Sequence, residues 1–313
     1  MFKRLLLDHH YQRPVDRCGD IAQVSLFIGV LCSVILSISR RAADLIMGLL
    51  FLVLRLAFTP AAGGEMTILQ QNTLKQIPTN ITSALSRFNL HPRTTVYATC
   101  PLCSCLHKPV FKPGSSAAEY PSHCTNKPKP WLPICNQRLL QPSSNSPIKP
   151  YVYHHFHDFV ASLLSRSEID AIIDEPCDRL MGSLDWPAPL NSKDIWDGEF
   201  LRTFQGPLPQ TLFIDRKGES RLVFSLNVDF FNVEGVRVRG ETTSCGVISC
   251  ACLNLPLDIR YKPENMFLAG IVPGPNEPPG DQLNHFLEPL IDDMVASWER
   301  GISFSRMALH PSG

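Results

Sequence analysis

Leu222-Val223-Phe224-Ser225-Leu226-Asn227-Val228-Asp229-Phe230-Phe231-Asn232 is the stretch on which the fold of this chain turns. Aromatic and β-branched residues dominate it, which favours an extended strand, and Asp229 stands among apolar neighbours near its end. Polar residues 234–243 then suit a turn, and residues 246–255, rich in small and β-branched side chains and carrying Cys250 and Cys252, suit a second strand. A loop bounded by Pro256 and Pro263 leads to a third strand at 266–272, which Pro273-Gly274-Pro275 stops. Residues 282–298 place Leu283, Phe286, Leu287, Leu290, Ile291, Met294 and Val295 along one face of an amphipathic helix.

Three antiparallel strands and a helix, with an aspartate in the first strand, form the opening of a ribonuclease H-like domain. In that architecture carboxylates on neighbouring strands hold two divalent metals for in-line attack on a phosphodiester. Asp229 is the candidate first ligand, although a strand-end aspartate that caps a turn reads equally well.

Upstream, residues 95–99 read as a short strand that runs into Cys100-Pro101-Leu102-Cys103. Cys124 follows after 20 residues and Cys135 after 10 more. A C-x2-C turn aims two thiolates at one point, as a tetrahedral metal requires. Proline, glycine, serine and lysine fill residues 108–150, too little apolar surface to fold without help, so a structural zinc held by Cys100, Cys103, Cys124 and Cys135 would supply the missing stability. A reduced loop with free thiols is the alternative. Cys105 and His107 are spare ligands, and His123 is a substitute for Cys124. Four thiolates close the coordination sphere, which argues for a structural rather than a catalytic metal. The group His154, His155, His157 and Asp158 fits a helix entrance better than a second metal site, because a helical pattern begins at Phe156.

The N-terminal region reads as helical. Residues 21–39 run for 19 positions without a charge, and residues 45–54 are apolar again after Arg40, Arg41 and Asp44. The first run has the length of a membrane span, yet its glutamine and serines dilute it, and a pair of buried helices split at the polar step 37–44 explains both runs. Asn80-Ile81-Thr82 matches a glycosylation sequon and also suits a polar helix start after Pro78.

The whole chain has 313 residues, 29 basic and 29 acidic, so bulk positive charge is excluded as a way of coating nucleic acid. The Lys108–Lys129 loop and Arg237-Val238-Arg239 are the modest basic patches, each reading as solvated surface rather than a nucleic-acid groove, and no basic stripe with interleaved aromatics stands out. Eleven cysteines cannot all pair and no cleavable leader is evident, which points to a reducing compartment. The 27 prolines rule out long uninterrupted helices beyond the first sixty residues. The expected architecture is α+β: a helical region at 1–94, a zinc-binding segment at 95–150, and an incomplete ribonuclease H-like core at 151–313.

Several motifs in order resemble one family. Residues 222–232 are similar to its DGFNPF-like block, with Phe230 where the glycine is expected and Val233 at the proline position. Cys252-Leu253-Asn254-Leu255-Pro256 with Arg260-Tyr261 resembles its NLP motif. Ala269-Gly270-Ile271-Val272-Pro273-Gly274-Pro275, then Asn284 through Leu290 and Trp298, resembles its IPGP, PL and LW stretch. These belong to the transposases of CACTA-like DNA transposons and their Kyakuja-Dileera-Zisupton relatives, in the form common in fungal genomes. The resemblance covers roughly residues 70–306 and includes a zinc-binding segment ahead of the core. It implies DNA strand cleavage and transfer by three metal-binding acids, magnesium or manganese as catalytic metal, transposon ends and full-length transposase copies as partners, and a nuclear location. Only Asp229 carries over as an acid. The chain ends within fifteen residues of the 282–298 helix, so the expectation is a catalytically incompetent transposase-derived piece. A zinc-containing DNA- or protein-binding module and a membrane-anchored protein are the alternatives.

Overall fold

The computed structural model describes residues 3–5, 8–11, 13–59, 64–89, 92–183, 191–206, 211–232 and 244–311. The chain divides into two compact units, residues 7–92 and residues 93–313 joined by 1–6.

The first unit is helical. After the short α1 (Asp8–Tyr11), α2 (Asp20–Val30) continues into a π-helical turn at Leu31–Ile35, and α3 (Arg40–Phe58), α4 (Ile68–Gln76) and α5 (Ile81–Arg87) follow. Both apolar runs are therefore helices, and the break falls in the polar step between them. Ser37 adopts a left-handed φ of 50° there, and the Ser39 hydroxyl accepts from the Ala42 amide to start α3. No helix among the described residues is long and apolar enough to cross a membrane. Asn80 is a helix cap: its side-chain oxygen accepts from the Ser83 amide at 2.9 Å. Ala22, Leu26, Ala43, Met47, Ile77, Ile81 and Ala84 form the core of this unit. Asp44 fastens it by accepting from the Ile81 amide at 2.7 Å.

The second unit is built on a sheet. Its strands are β1 (Lys3–Leu5), β2 (Thr94–Thr99), β3 (Leu106–His107), β4 (Val110–Phe111), β5 (Ala118–Glu119), β6 (Pro150–His154), β7 (Phe224–Asn232), β8 (Ser244–Cys252), β9 (Met266–Val272) and β10 (Ile302–Phe304). Six of them make one antiparallel sheet in the order β3-β2-β6-β9-β8-β7. The meander β7–β8–β9 is present as expected, but the sheet has six strands where three were expected. The helix entrance at His155 and Phe156 is where it was expected, but the strand just ahead of it, Pro150–His154, was not: its alternation buries Tyr151 and Tyr153 on one face and exposes Val152 on the other. Through β6 the cysteine-rich segment is hydrogen-bonded into the same sheet as the meander.

Two helices cover one face. α6 (Phe156–Leu164) and α11 (Gly280–Arg300) bring Phe156, Phe159, Leu163, Phe286 and Leu290 against Ile248, Cys250, Phe267 and Ala269 of the sheet. Tyr151 donates its hydroxyl to the Phe286 carbonyl at 3.1 Å, and Tyr153 donates to Asp293 at 2.6 Å, so both tyrosines pin α11 to β6. Gly270 is required by this packing, because a Cβ there would come within 2.6 Å of the Tyr151 ring. The other helices, α7 (Ser167–Asp170), α8 (Glu175–Gly182), α9 (Glu199–Thr203) and α10 (Leu257–Arg260), are short. Trp196, Leu201, Leu212 and Phe213 form a smaller cluster beside them.

Asn254, the asparagine of the NLP motif, is 1% exposed and ties three chain segments together. Its amide nitrogen donates to the carbonyls of Ile173 (3.0 Å) and Arg221 (2.9 Å), and its oxygen accepts from the Val223 amide (2.8 Å). Nearby, buried Arg260 donates to the Leu253 and Leu255 carbonyls and pairs with Asp194 at 2.7 Å. Asn254→Ala leaves the Val223 amide and the Ile173 carbonyl without this partner and the Arg221 carbonyl with only the Cys177 thiol, and each lost bond costs about 1–3 kcal/mol. The expected loss is about 3 kcal/mol or more in chemical denaturation of the full chain, while the exposed change Asn227→Ala in β7 should cost under about 1 kcal/mol.

Candidate metal centre

The four cysteines expected to hold zinc converge. Their sulfurs all lie within 4.8 Å of one another. Cys100 Sγ is 3.7 Å from Cys135 Sγ, and Cys103 Sγ is 3.6 Å from Cys124 Sγ. Zinc bonded to four sulfurs at about 2.3 Å places them about 3.8 Å apart, so these two pairs already stand near the edge length of such a tetrahedron. None of the eleven cysteines is in a disulfide. Cys100, Cys103 and Cys124 are buried and Cys135 is half-buried, as suits a closed structural site.

The local chain explains the convergence. β2 delivers Cys100 directly from its last residue, and the turn 100–105 closes through Cys100 N–H to Cys105 O (2.9 Å) and Ser104 N–H to Cys100 O (3.0 Å). Ser104 takes a left-handed φ of 58° to make this turn. The wide C-x10-C spacing of the second pair works because the chain doubles back as a hairpin. Cys124 N–H donates to Gln137 O (2.7 Å), Asn136 N–H to Cys124 O (3.0 Å), and Cys135 N–H to Asn126 O (2.8 Å). Asn136, at φ 53°, turns the chain there. The Ser104 hydroxyl donates to Gln282 on α11 at 3.0 Å, which links the turn to the main core.

Burial sets the acid–base state. It pushes the Cys100 thiol up to about 11 and raises Cys124 as well, against the pull of nearby backbone amides. At Cys103 burial again works against the thiolate, but hydrogen bonds led by the Asn126 side chain outweigh it and hold the thiol below its ordinary value. Burial also pushes Cys105 up to about 12, and its sulfur does not belong to the converging group of four. His107, the other spare candidate, lies buried with Nε2 3.3 Å from Cys124 Sγ. His123 is exposed and bonds to Ser122 instead. Sequence reasoning passed over Asn126, since an asparagine in a polar loop carries no signal until the hairpin places it 3.5 Å from Cys103 Sγ.

The other candidates separate from this centre. The histidine group is absorbed by packing: His154 lies against the Phe267 ring, His155 bonds to Thr95, and His157 bonds to Ser297 and the Asp293 carbonyl. Asp229 is exposed on β7, opposite Val247, on the strand that ends the sheet. Among the described residues it belongs to no group of side chains able to hold a metal. Its neighbour Phe230, which stands where the motif expects glycine, lies over Gly246 on β8. Val233 and the Arg237-Val238-Arg239 turn lie outside the described residues.

The donor set is one that binds zinc, and the expected stoichiometry is one zinc per chain by metal analysis, lost in Cys100→Ser. Binding must expel the protons that burial keeps on Cys100 and Cys124, so affinity rises with pH. Each proton displaced should weaken the apparent affinity about tenfold per unit of acidification, and with Cys100 near 11 the slope should persist across pH 6–8 in a chelator competition. A pH-independent affinity would contradict the thiol assignment. Comparison of the chain with protein-family models, with curated proteins and with solved structures found no match.

Proposed function

We propose that this chain is a zinc-stapled DNA-binding module on a ribonuclease H-like sheet, descended from the transposases its motifs resemble and without strand-cleaving activity of its own. The observation that carries the reading is the segregation of charge onto the metal segment. The whole chain is neutral, yet residues 100–150 hold Lys108, Lys112, Lys127, Lys129, Arg138 and Lys149 against a single acid, Glu119. Glu119 is engaged by Lys112 at 2.6 Å, and Lys108, Lys127, Lys129 and Arg138 are exposed. Trp131 is 76% exposed in the same segment, with Lys129 Nζ 5.7 Å from its ring centre. Cations around an exposed aromatic suit the phosphate backbone and a base or sugar face. A structural metal would hold these loops in one arrangement.

The meander followed by α11 on one face supports the ribonuclease H-like reading of the core, and the ordered motifs support its transposase ancestry. Asp229 by itself cannot hold the metal pair of phosphodiester cleavage. Magnesium or manganese would serve only if further carboxylates were brought to it. In this reading the chain occupies transposon-end DNA in the nucleus, or pairs with full-length transposase copies there, as a competitor rather than a catalyst.

Two measurements test this. Fluorescence anisotropy with a duplex in low salt should show binding that weakens steeply as salt rises, that is lost on zinc chelation, and that falls at least tenfold in the double variant Lys127→Glu, Lys129→Glu. No binding at low salt rejects the module. Incubation with duplex and magnesium or manganese should give no nicking, the same as Asp229→Ala. Metal-dependent nicking that disappears in Asp229→Ala makes the chain an enzyme instead.

A further inference from the structure

A tetrathiolate zinc centre carries two net negative charges in a largely dry site, and N–H donors aimed at the sulfurs are the means by which a protein offsets them. Backbone amides of Leu102, Cys105 and Asn126 supply some, and three further contacts meet the sulfurs, the His107 ring nitrogen donating in the Nε2–H tautomer. The Cys103 amide points at Cys100 Sγ (3.5 Å), the Asn126 amide nitrogen at Cys103 Sγ (3.5 Å), and His107 Nε2 at Cys124 Sγ (3.3 Å). The histidine contact is the shortest, and it belongs to a residue that is 8% exposed and fixed by its place in β3, where it pairs with Ala98 of β2. The ring therefore has little freedom to turn away. It also sits on the opposite arm of the cluster from its sulfur, because β3 follows the first cysteine pair whereas Cys124 opens the second.

We propose that His107 is a positioning residue of the metal centre, donating Nε2–H to the Cys124 thiolate and so holding the second cysteine pair against the first, rather than serving as a metal ligand. The assignment rests on the zinc reading of the four cysteines. In the metal-loaded chain the histidine is neutral, with its proton on Nε2, and Cys124 accepts that proton's hydrogen bond through a lone pair not used by the metal. Cys124 is deprotonated by metal binding itself, so His107 takes up no proton. Its removal should act on how tightly the metal is kept and on how readily Cys124 reacts, and should leave the ligand set unchanged. Partners of this kind typically contribute a factor of 10–100 in metal affinity.

The test uses the full chain and the metals themselves. Zinc affinity is measured by chelator competition, the ligand set by the absorption spectrum of the cobalt(II)-loaded chain, and Cys124 reactivity by peptide mapping after timed iodoacetamide alkylation. The expected result is a tetrathiolate cobalt spectrum in wild type and in His107→Ala alike. Zinc affinity should be 10–100-fold weaker and Cys124 alkylation faster in His107→Ala, with most of both effects rescued in His107→Gln, which retains an N–H donor. If His107→Ala does not fold, His107→Gln against His107→Leu makes the same comparison. Unchanged affinity and alkylation in His107→Ala, or in His107→Leu where that pair is used, overturn the positioning role and leave the zinc reading standing. A cobalt spectrum of three sulfurs and one nitrogen in wild type, with Cys135→Ser binding as tightly as wild type, makes His107 a ligand and overturns the proposal in a different way. Absence of bound metal in wild type overturns the zinc reading itself.

Discussion

Bringing four sulfurs within 4.8 Å of one another is the constraint from which the edge of this sheet takes its form. The segment that supplies them is too polar and proline-rich to bury a core of its own, and its longest strand run between Cys100 and β6 is two residues. What orders it is a point, not a surface. β2 ends where the point begins, β3 leaves it, and the chain returns through β6 to pair with β2 along its length. A metal at that point would fix the register of the loops and steady the strand that carries Tyr151 and Tyr153 into the main core. The metal segment and the helix-covered sheet are thus parts of one cooperative unit. Ser104 and Gln282 make the same connection through side chains.

Where sequence reasoning succeeded, a local signal had one physical meaning. The β7–β8–β9 meander declared itself by alternation and proline stops, and α11 by its apolar periodicity. The 21 residues of α11 nevertheless run through Pro289 and overturn the expectation that prolines exclude long helices beyond the first sixty residues. The polar step at 37–44 marked a helix break because uncompensated charge and serine caps are poor companions for a continuous apolar helix. The C-x2-C turn was legible for the same reason, as its geometry is decided within four residues. Cys124 and Cys135 were harder, since their spacing has meaning only once the intervening chain folds back on itself.

The rest was hidden by residues with two uses. The helix entrance at His155–His157 was legible, but Pro150–His154 just before it is too short and too mixed to declare a strand, and only long-range pairing with β2 and β9 makes it one. His107 stood out as a spare ligand, but its relation to Cys124 depends on a hairpin of sixteen intervening residues. Asn254 lay inside a legible motif while its purpose was not. Its three partners come from segments up to 81 positions away, and no local pattern encodes them.

The pairing of Phe230 with Gly246 has a consequence for how this sequence can change. The phenylalanine occupies space that a Cβ at 246 would need, its nearest ring atom standing 2.5 Å from where that Cβ would be. A glycine at 230 would therefore open a void over a bare strand, while a side chain at 246 alone would meet the ring. Each position is neutral to change only when the other has already moved. The two residues form a ratchet: with the bulk carried by one strand and the space by the other, the sheet resists exchanging them by single steps.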